Sequence, residues 1–399
     1  MSHLLKLTSL APLALTAACG LLFTVHASAA PSYTLTLLGI LPGGTFSYGN
    51  AVNDSGQVAG QSNSNPTNNS SGGNQQATIY RGGVLTSLNP ASSSGNSINT
   101  SGQVTGIAQT SAPGAVTVNQ AYVYSNPGGT PTTTYLPTFG GNFSEGFGIN
   151  DSGQVVGSSE TASNNTRAFL YSGFNLIDLD KILGGGTNFD QSIANGVSNN
   201  GKVTGSVYND YAYTYDSKSG TVNFLPSLRD PSPTDPMQGF GSFGNSINDS
   251  GQVAGYNVSA NGNFHAVLYG SNGSLTDLTP NLGTGASAVA YSINNSGQVV
   301  GQLSSGGFLV NPNAFLYSSG KLTDLNTLIT PGSGFDLETA SGISNSGSIT
   351  GYGFSNGHIQ GYLLTPVPEQ STLVSLGVGL LGGGLFLLRT RKRQGGVKS

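Results

Sequence analysis

Acid–base and metal chemistry need histidines, thiols or converging carboxylates, and this 399-residue chain has four His, one Cys and 17 Asp and Glu together. Two histidines, His265 and His358, lie between the terminal segments that read as sorting signals. His265 occupies a position that Gln76, Gln120, Arg167, Tyr211 and Asn313 fill in related stretches, so it reads as a solvated strand end and not a general base. Asp178, Asp277 and Asp324 share another such position with Ser87. Three carboxylates around a ring suit a cation or a sugar. The plainer expectation is that each accepts hydrogen bonds from a neighbouring turn and holds one unit to the next. Asp54, Asp151 and Asp249 alternate with Thr100, Asn295 and Asn345 in short turns. Turn formation accounts for them, because a calcium site needs more oxygen ligands than such a turn supplies.

Glycoside cleavage asks for two carboxyl groups flanking the scissile bond. The acidic residues that break the repeat are the ones to consider: Glu145, Glu160, Asp190, Asp336 and Glu338. Of these, Glu145, Asp336 and Glu338 come just before or at the start of strands expected to line a central channel, which makes them candidate ligand contacts at its mouth. Phe46, Tyr48, Phe143, Phe147, Phe240 and Phe243 lie within or before similar strands, and aromatic faces stack on sugar rings. No Ser-His-Asp order, phosphate-cradling loop or metal-spaced histidine pair occurs. The expectation is a non-catalytic protein without cofactor or metal.

What must position these residues is an internal repeat. Its core is a stretch such as SINDSGQVAG, from Ser246 to Gly255. The central glycine recurs as Gly56, Gly102, Gly153, Gly201, Gly251, Gly297 and Gly347, at spacings of 46, 51, 48, 50, 46 and 50 residues. Four residues before it stands Val or Ile, and two after it Val or Ile again, as in Ile247 and Val253. β-Branched residues favour strands, and Asn, Asp or Ser followed by Gly favours a bulged hairpin turn. A second glycine recurs four residues beyond the first, from Gly60 to Gly351. The positions five and seven before the marker hold only Ala, Ser or Gly, which marks a strand face where bulk is excluded, as near a propeller axis. An Ala-x-x-Tyr run and an apolar strand complete each unit, as in Ala266–Tyr269 and Leu275-Thr276-Asp277-Leu278. Each unit therefore supplies about four strands.

The seventh unit stops at Gly361-Tyr362-Leu363-Leu364 without its last strand, while Tyr33-Thr34-Leu35-Thr36-Leu37-Leu38 precedes the first hairpin and matches it. The fold expected is all-β: a seven-bladed β-propeller over residues 31–366, closed by pairing of the N- and C-terminal strands. Closure pairs edges that an open stack would expose.

Residues 1–30 read as a signal peptide, with Lys6, an apolar stretch from Leu10 to Val25, and Ala27-Ser28-Ala29 before cleavage at Ala29 or Ala30 by signal peptidase. The alternative is lipoprotein processing at Cys19, against which Thr16 stands where Leu is usual. Residues 367–399 read as a second signal: Val367-Pro368-Glu369-Gln370, an apolar run from Thr372 to Leu388, and a basic tail. About 17 apolar residues is the lower limit for spanning a bilayer, and the basic tail would stay in the cytoplasm. Removing 1–30 and 369–399 takes away six of 13 basic and one of 17 acidic residues, leaving a net charge near −9. With no basic stripe, nucleic acid is not an expected partner. The only cysteine, Cys19, leaves with the signal, so neither disulfide nor thiolate metal site is expected.

The C-terminal order resembles the PEP-CTERM sorting signal of Gram-negative bacteria that make exopolysaccharide, with Gln370 where the second Pro is usual. The resemblance implies processing by an exosortase-type enzyme, a transient membrane anchor, and a surface or extracellular location. The repeat resembles the HAF family of extracellular repeat proteins on His265-Ala266-Val267, Arg167-Ala168-Phe169 and Asn313-Ala314-Phe315, each followed by Leu-Tyr. That family implies location and architecture, with no activity to transfer. The function expected is an exported binding or structural module associated with exopolysaccharide; the alternative is a propeller-type carbohydrate-active enzyme.

Overall fold

The computed structural model describes residues 32–64, 74–88, 92–110, 117–126, 129–184, 191–207, 211–228, 241–306 and 310–368. Ala29, Ala30, Asp190, Phe240, Glu369, Gln370 and the apolar run from Thr372 to Leu388 lie outside them. Among the described residues no helix is long and apolar enough to cross a membrane.

Strand β1 is Tyr33–Leu37. The first sheet holds β2–β5, at Ser47–Val52, Val58–Ser64, Asn74–Arg81 and Val84–Ser87. The second holds β6–β9, at Ser93–Ile98, Val104–Thr110, Val118–Ser125 and Thr132–Tyr135. In the third, β10–β13 are Gly140–Ile149, Val155–Thr161, Thr166–Ser172 and Asn175–Asp178. In the fourth, β14–β17 are Ser192–Val197, Lys202–Val207, Tyr211–Asp216 and Thr221–Phe224. The fifth contains β18–β21: Ser242–Ile247, Val253–Val258, Phe264–Tyr269 and Leu275–Asp277. The sixth contains β22–β25: Ser287–Ile293, Val299–Ser304, Pro312–Ser318 and Lys321–Asp324. The last three strands, β26–β28, are Asp336–Ile343, Ile349–Ser355 and His358–Pro366.

Pairing within each sheet is antiparallel and follows chain order. One parallel bridge, Phe143 to Asn119, links the second sheet to the third. The last three strands are completed by β1, whose residues Tyr33 to Leu37 face Pro366 to Tyr362 on β28. The seventh sheet is thus built from both ends of the described chain, as the unfinished last repeat implies. The signature bond of the internal units recurs there. Leu38 N donates to Gly361 O at 2.9 Å, as Leu88 N does to Ala77 O at 2.8 Å and Leu225 N to Ala212 O at 2.8 Å. Two bonds then tie the seventh sheet to the first: Gly361 N to Ser47 Oγ at 3.0 Å and Ser346 N to Asp54 Oδ1 at 2.9 Å. The fold is an all-β propeller, its sheets arranged in a closed ring.

The sequence columns acquire local causes. The seven marker glycines take φ between 71° and 82°, the left-handed conformation that a bulged hairpin demands and a side chain resists. Each innermost strand also carries a bulge, such as the slip between Gly49 and Ala51 or between Gly244 and Ser246. Small residues flank it for two reasons. A side chain on Gly146 or Gly244 would overlap the hydroxyl of Thr105 or Thr204 in the preceding sheet. A side chain on Gly342 would press against the Ala51 backbone in the next one, its Cβ 3.0 Å from the Ala51 Cα.

Apolar side chains fill the spaces between sheets. Val300, Ala314 and Leu316 of the sixth sheet meet Leu337, Ala340 and Tyr362 of the seventh, with Tyr33 from β1 in the same cluster. Buried serines add a second tie. Ser93, Ser144, Ser192 and Ser242 each accept, through Oγ, the amide of the alanine that opens the Ala-x-x-Tyr run of the preceding sheet, at 2.9–3.0 Å.

Candidate functional site in the axial cavities

The bulge on each innermost strand leaves one extra residue. These are Asn50, Asn96, Phe147, Asn195, Asn245, Tyr291 and Ser341, and all seven line the cavities on the axis. Four of them tie sheet to sheet. Asn50, Asn96, Asn195 and Asn245 each donate through Nδ2 to a carbonyl of the next sheet: Gly95, Gly146, Gly244 and Ala290, at 2.8–3.0 Å. This row separates two spaces.

On the hairpin side the space is about 260 Å³ and is closed by two further layers of hydrogen bonds. In the deeper layer Asn53, Asn99, Asn150, Asn248 and Asn294 accept backbone amides of their own turn through Oδ1. Their Nδ2 atoms reach the next sheet's turn carbonyl, as in Asn99 to Asn150 O at 3.1 Å and Asn150 to Ser198 O at 2.9 Å. In the outer layer Thr100 N donates to Asp151 Oδ1, Asp151 N to Asn199 Oδ1, Asn199 N to Asp249 Oδ1, Asp249 N to Asn295 Oδ1 and Asn295 N to Asn345 Oδ1, at 2.8–3.0 Å. Ser346 N to Asp54 Oδ1, at 2.9 Å, carries the row from the seventh sheet to the first.

The two groups of aspartates therefore exchange the roles the sequence suggests. Asp54, Asp151 and Asp249 join neighbouring sheets rather than shaping only their own turns. Asp178, Asp277 and Asp324 act within one sheet. Asp178 pairs with Arg167 at 3.0 Å and Lys181 at 3.4 Å; Asp277 pairs with His265 Nδ1 and accepts Thr279 N, both at 2.8 Å; Asp324 accepts Asn326 N at 2.8 Å. His265 is accordingly a partly buried partner of Asp277 and not a solvated strand end. Strand pairing explains this: Val267 stands opposite Asp277, which brings the residues two positions away on one strand within reach.

The four bonds of Asn150 predict a measurable cost. Asn150→Ala removes partners of Ser198 O, Gln154 Oε1 and two backbone amides. Denaturant titration should register a loss of about 2–3 kcal/mol. Asn150→Ser should cost less, since Ser198 in the same place accepts Lys202 N at 3.1 Å.

The space on the other side of the row is about 430 Å³ and includes Gln61, Ser94 and Glu145. Glu145 Oε1 accepts Asn96 Nδ2 at 2.8 Å. Burial pushes its carboxyl pKa up, and the Asn96 bond opposes the shift. An acid whose folded pKa is raised binds its proton more tightly when folded, so stability declines as pH rises through the unfolded value toward the folded one. Glu145→Gln should therefore raise the midpoint of urea unfolding at pH 7. Little gain should remain below pH 4, where the wild-type carboxyl is neutral in both states.

Aromatic side chains meet one another from the fifth sheet round to the first, and one of them, Tyr291, lines this space. Phe243 stacks on Tyr256 at 4.3 Å, and Tyr256 meets Phe264 edge-on at 5.3 Å. Tyr291 has its phenol pKa raised by burial, then by the nearby phenols of Tyr352 and Tyr256. Tyr352 meets Tyr48 edge-on at 4.8 Å, and Tyr48 is 5.4 Å from Phe46. Glu338 lies near Tyr48, whose phenol pKa is raised by burial, then by Tyr352 and by the Glu338 charge.

The three carboxylates suggested for the channel mouth are thus not equivalent. Glu145 lines the axial cavity. Asp336 is exposed and lines a separate crevice with Asn313, Asp324 and Asn326. Glu338 is the extra residue of a second bulge in β26, between Leu337 and Thr339, and its pKa is raised by burial and then by Asp336. Phe147 lines the axis while Phe143 lies on the strand bridge. Val367 N extends the β1–β28 pairing by donating to Ser32 O at 2.9 Å, and Pro368 follows it. Among the described residues no group of three or more His, Cys, Asp or Glu is placed to hold a metal ion.

No family model matches the sequence, and no curated protein matches it. Solved propeller structures are similar in fold. The β-propeller domain of the Trilobed protease from Pyrococcus furiosus is 8% identical with a TM-score of 0.49, over 80% of this chain and 95% of that one. YCF48 from Cyanidioschyzon merolae is 10% identical with a TM-score of 0.46, over 84% and 99%. TolB from Acinetobacter baumannii is 13% identical with a TM-score of 0.41, over 78% of this chain and 64% of that one, so this chain spans just under two thirds of TolB.

Proposed function

We propose that this chain is a non-catalytic binding or structural module, exported to the cell surface of a Gram-negative bacterium and associated with exopolysaccharide. Signal peptidase would remove residues 1–30. An exosortase-type enzyme would act at Val367-Pro368-Glu369-Gln370 after transient anchoring by the apolar run. The observation that carries the reading is the character of the axial cavity. Its lining is amide, hydroxyl and aromatic, with a single carboxylate, Glu145. Such a surface recognises a hydroxyl-rich partner by hydrogen bonds and ring contacts, and has no second acid in the same cavity to cleave it.

Purified residues 31–368 should be retained on the exopolysaccharide of the producing strain in a pull-down. Failure to bind any polysaccharide of that matrix would overturn the reading. One observation favours the enzyme alternative: burial raises both Glu145 and Glu338, as general acids require. If the protein releases reducing ends from the polymer and Glu145→Gln or Glu338→Gln abolishes the release, that alternative replaces the present one.

A further inference from the structure

The amide row on the axis has a polarity that narrows what the cavity can hold. Nδ2 of Asn50, Asn195 and Asn245 is engaged by a carbonyl of the next sheet. The three residues line the cavity, and no hydrogen bond to their Oδ1 atoms occurs among the described residues. Glu145 adds a carboxylate on the same lining, and Tyr291 adds an aromatic face. The wall therefore carries one carboxylate and unbonded amide oxygens, with no cation among the residues that line it. Anionic ligands find no positive charge there. Ligands that donate hydrogen bonds and also carry a positive charge find both the carboxylate and the amide oxygens. A cation beside an aromatic face gains a further attraction when partly desolvated. The volume, about 430 Å³, lies within the range of small-molecule sites, roughly 300–1,000 Å³.

Resting on the proposed association with polysaccharide, we propose that this cavity is a subsite for an amino-sugar residue bearing a free ammonium group. The ring stacks against Tyr291, the ammonium faces Glu145, and the hydroxyls donate to the amide oxygens of Asn50, Asn195 and Asn245. Neutral sugars satisfy the amides and leave the carboxylate without its ion partner. Uronates set two negative charges against each other in a partly buried space.

Isothermal titration of residues 31–368 with glucosamine, glucose and glucuronate oligomers of equal length tests this. Glucosamine oligomers should bind at least tenfold more tightly than glucose oligomers, and glucuronate oligomers should not bind. Tyr291→Ser should weaken glucosamine binding tenfold or more; Ser341 fills the equivalent place in the seventh sheet, so the variant keeps a residue the repeat accepts. Glu145→Gln should remove the preference for glucosamine over glucose. Equal affinities for the three oligomers, a preference for glucuronate, or binding unchanged in both variants would overturn the subsite. Retention of both variants on the native matrix at wild-type level would overturn the subsite and leave the broader reading standing. Absence of any retention by the wild-type protein would overturn both.

Discussion

Truncating the chain at residue 39, so that β1 and Leu38 are lost, should abolish cooperative unfolding of the propeller. β1 is the edge partner of β28 over five residue pairs, and Leu38 N continues the ladder to Gly361 O. Tyr33 and Leu38 are buried, the first against the sixth and seventh sheets and the second between the seventh and the first. Removing two large buried side chains forfeits about 1.5–3 kcal/mol each. The exposed edge of β28 would lose its pairing as well, and unpaired edges invite association with other chains. The total approaches the whole stability of an ordinary domain, about 5–15 kcal/mol. Urea titration followed by circular dichroism should show a broad, non-cooperative transition or aggregation. A sharp transition at the wild-type midpoint would mean that the seventh sheet does not depend on β1.

Gly255→Ala should cost about 3 kcal/mol or more. This glycine belongs to the second recurring column and sits on the second strand, opposite the innermost-strand bulge. The bulge drives the Phe243 carbonyl into the place a Cβ would occupy, so a methyl group collides with backbone and not with a side chain that could rotate away. The same overlap occurs between Gly205 and the Ile193 carbonyl and between Gly106 and the Ser94 carbonyl. Gly283→Ala is the matched control, because nothing lies within 4 Å of its Cβ position and its φ is not positive. It should leave the midpoint of denaturation unchanged. Equal effects of the two substitutions would show that the column is not explained by the bulge.

Much of this fold was legible in the sequence because its signals are local. The turn glycines, the Val and Ile columns and the small residues beside them lie within a dozen positions of one another, and their spacing names hairpins directly. The terminal strand was legible for a different reason: the last unit lacked a segment that the first residues supply. What the sequence hid depends on contacts between units. Asn53, Asn99, Asn150, Asn248 and Asn294 look like ordinary turn formers, and the Nδ2 bond to the next sheet exists only once the ring is closed. Their replacement by Ser alone, at Ser198 and Ser344, was the available clue. The row from Asn50 to Ser341 escaped because a bulge adds a residue to a strand without altering its composition. Strict alternation then misassigns the face it occupies. His265 and Asp277 were read in separate columns because they are 12 residues apart and meet only through the pairing of outer strands.

The ring is completed by β1, and native-state hydrogen exchange of residues 33–37 tests that most directly. Strands that open only with the whole sheet exchange at the free energy of global unfolding, whereas a frayed terminus exchanges at once. The amides of β1 should therefore be protected to the same free energy as those of β15, Lys202–Val207, in the interior of the fourth sheet. Exchange of the β1 amides at the rate of an unstructured tail, with β15 still protected, would contradict it.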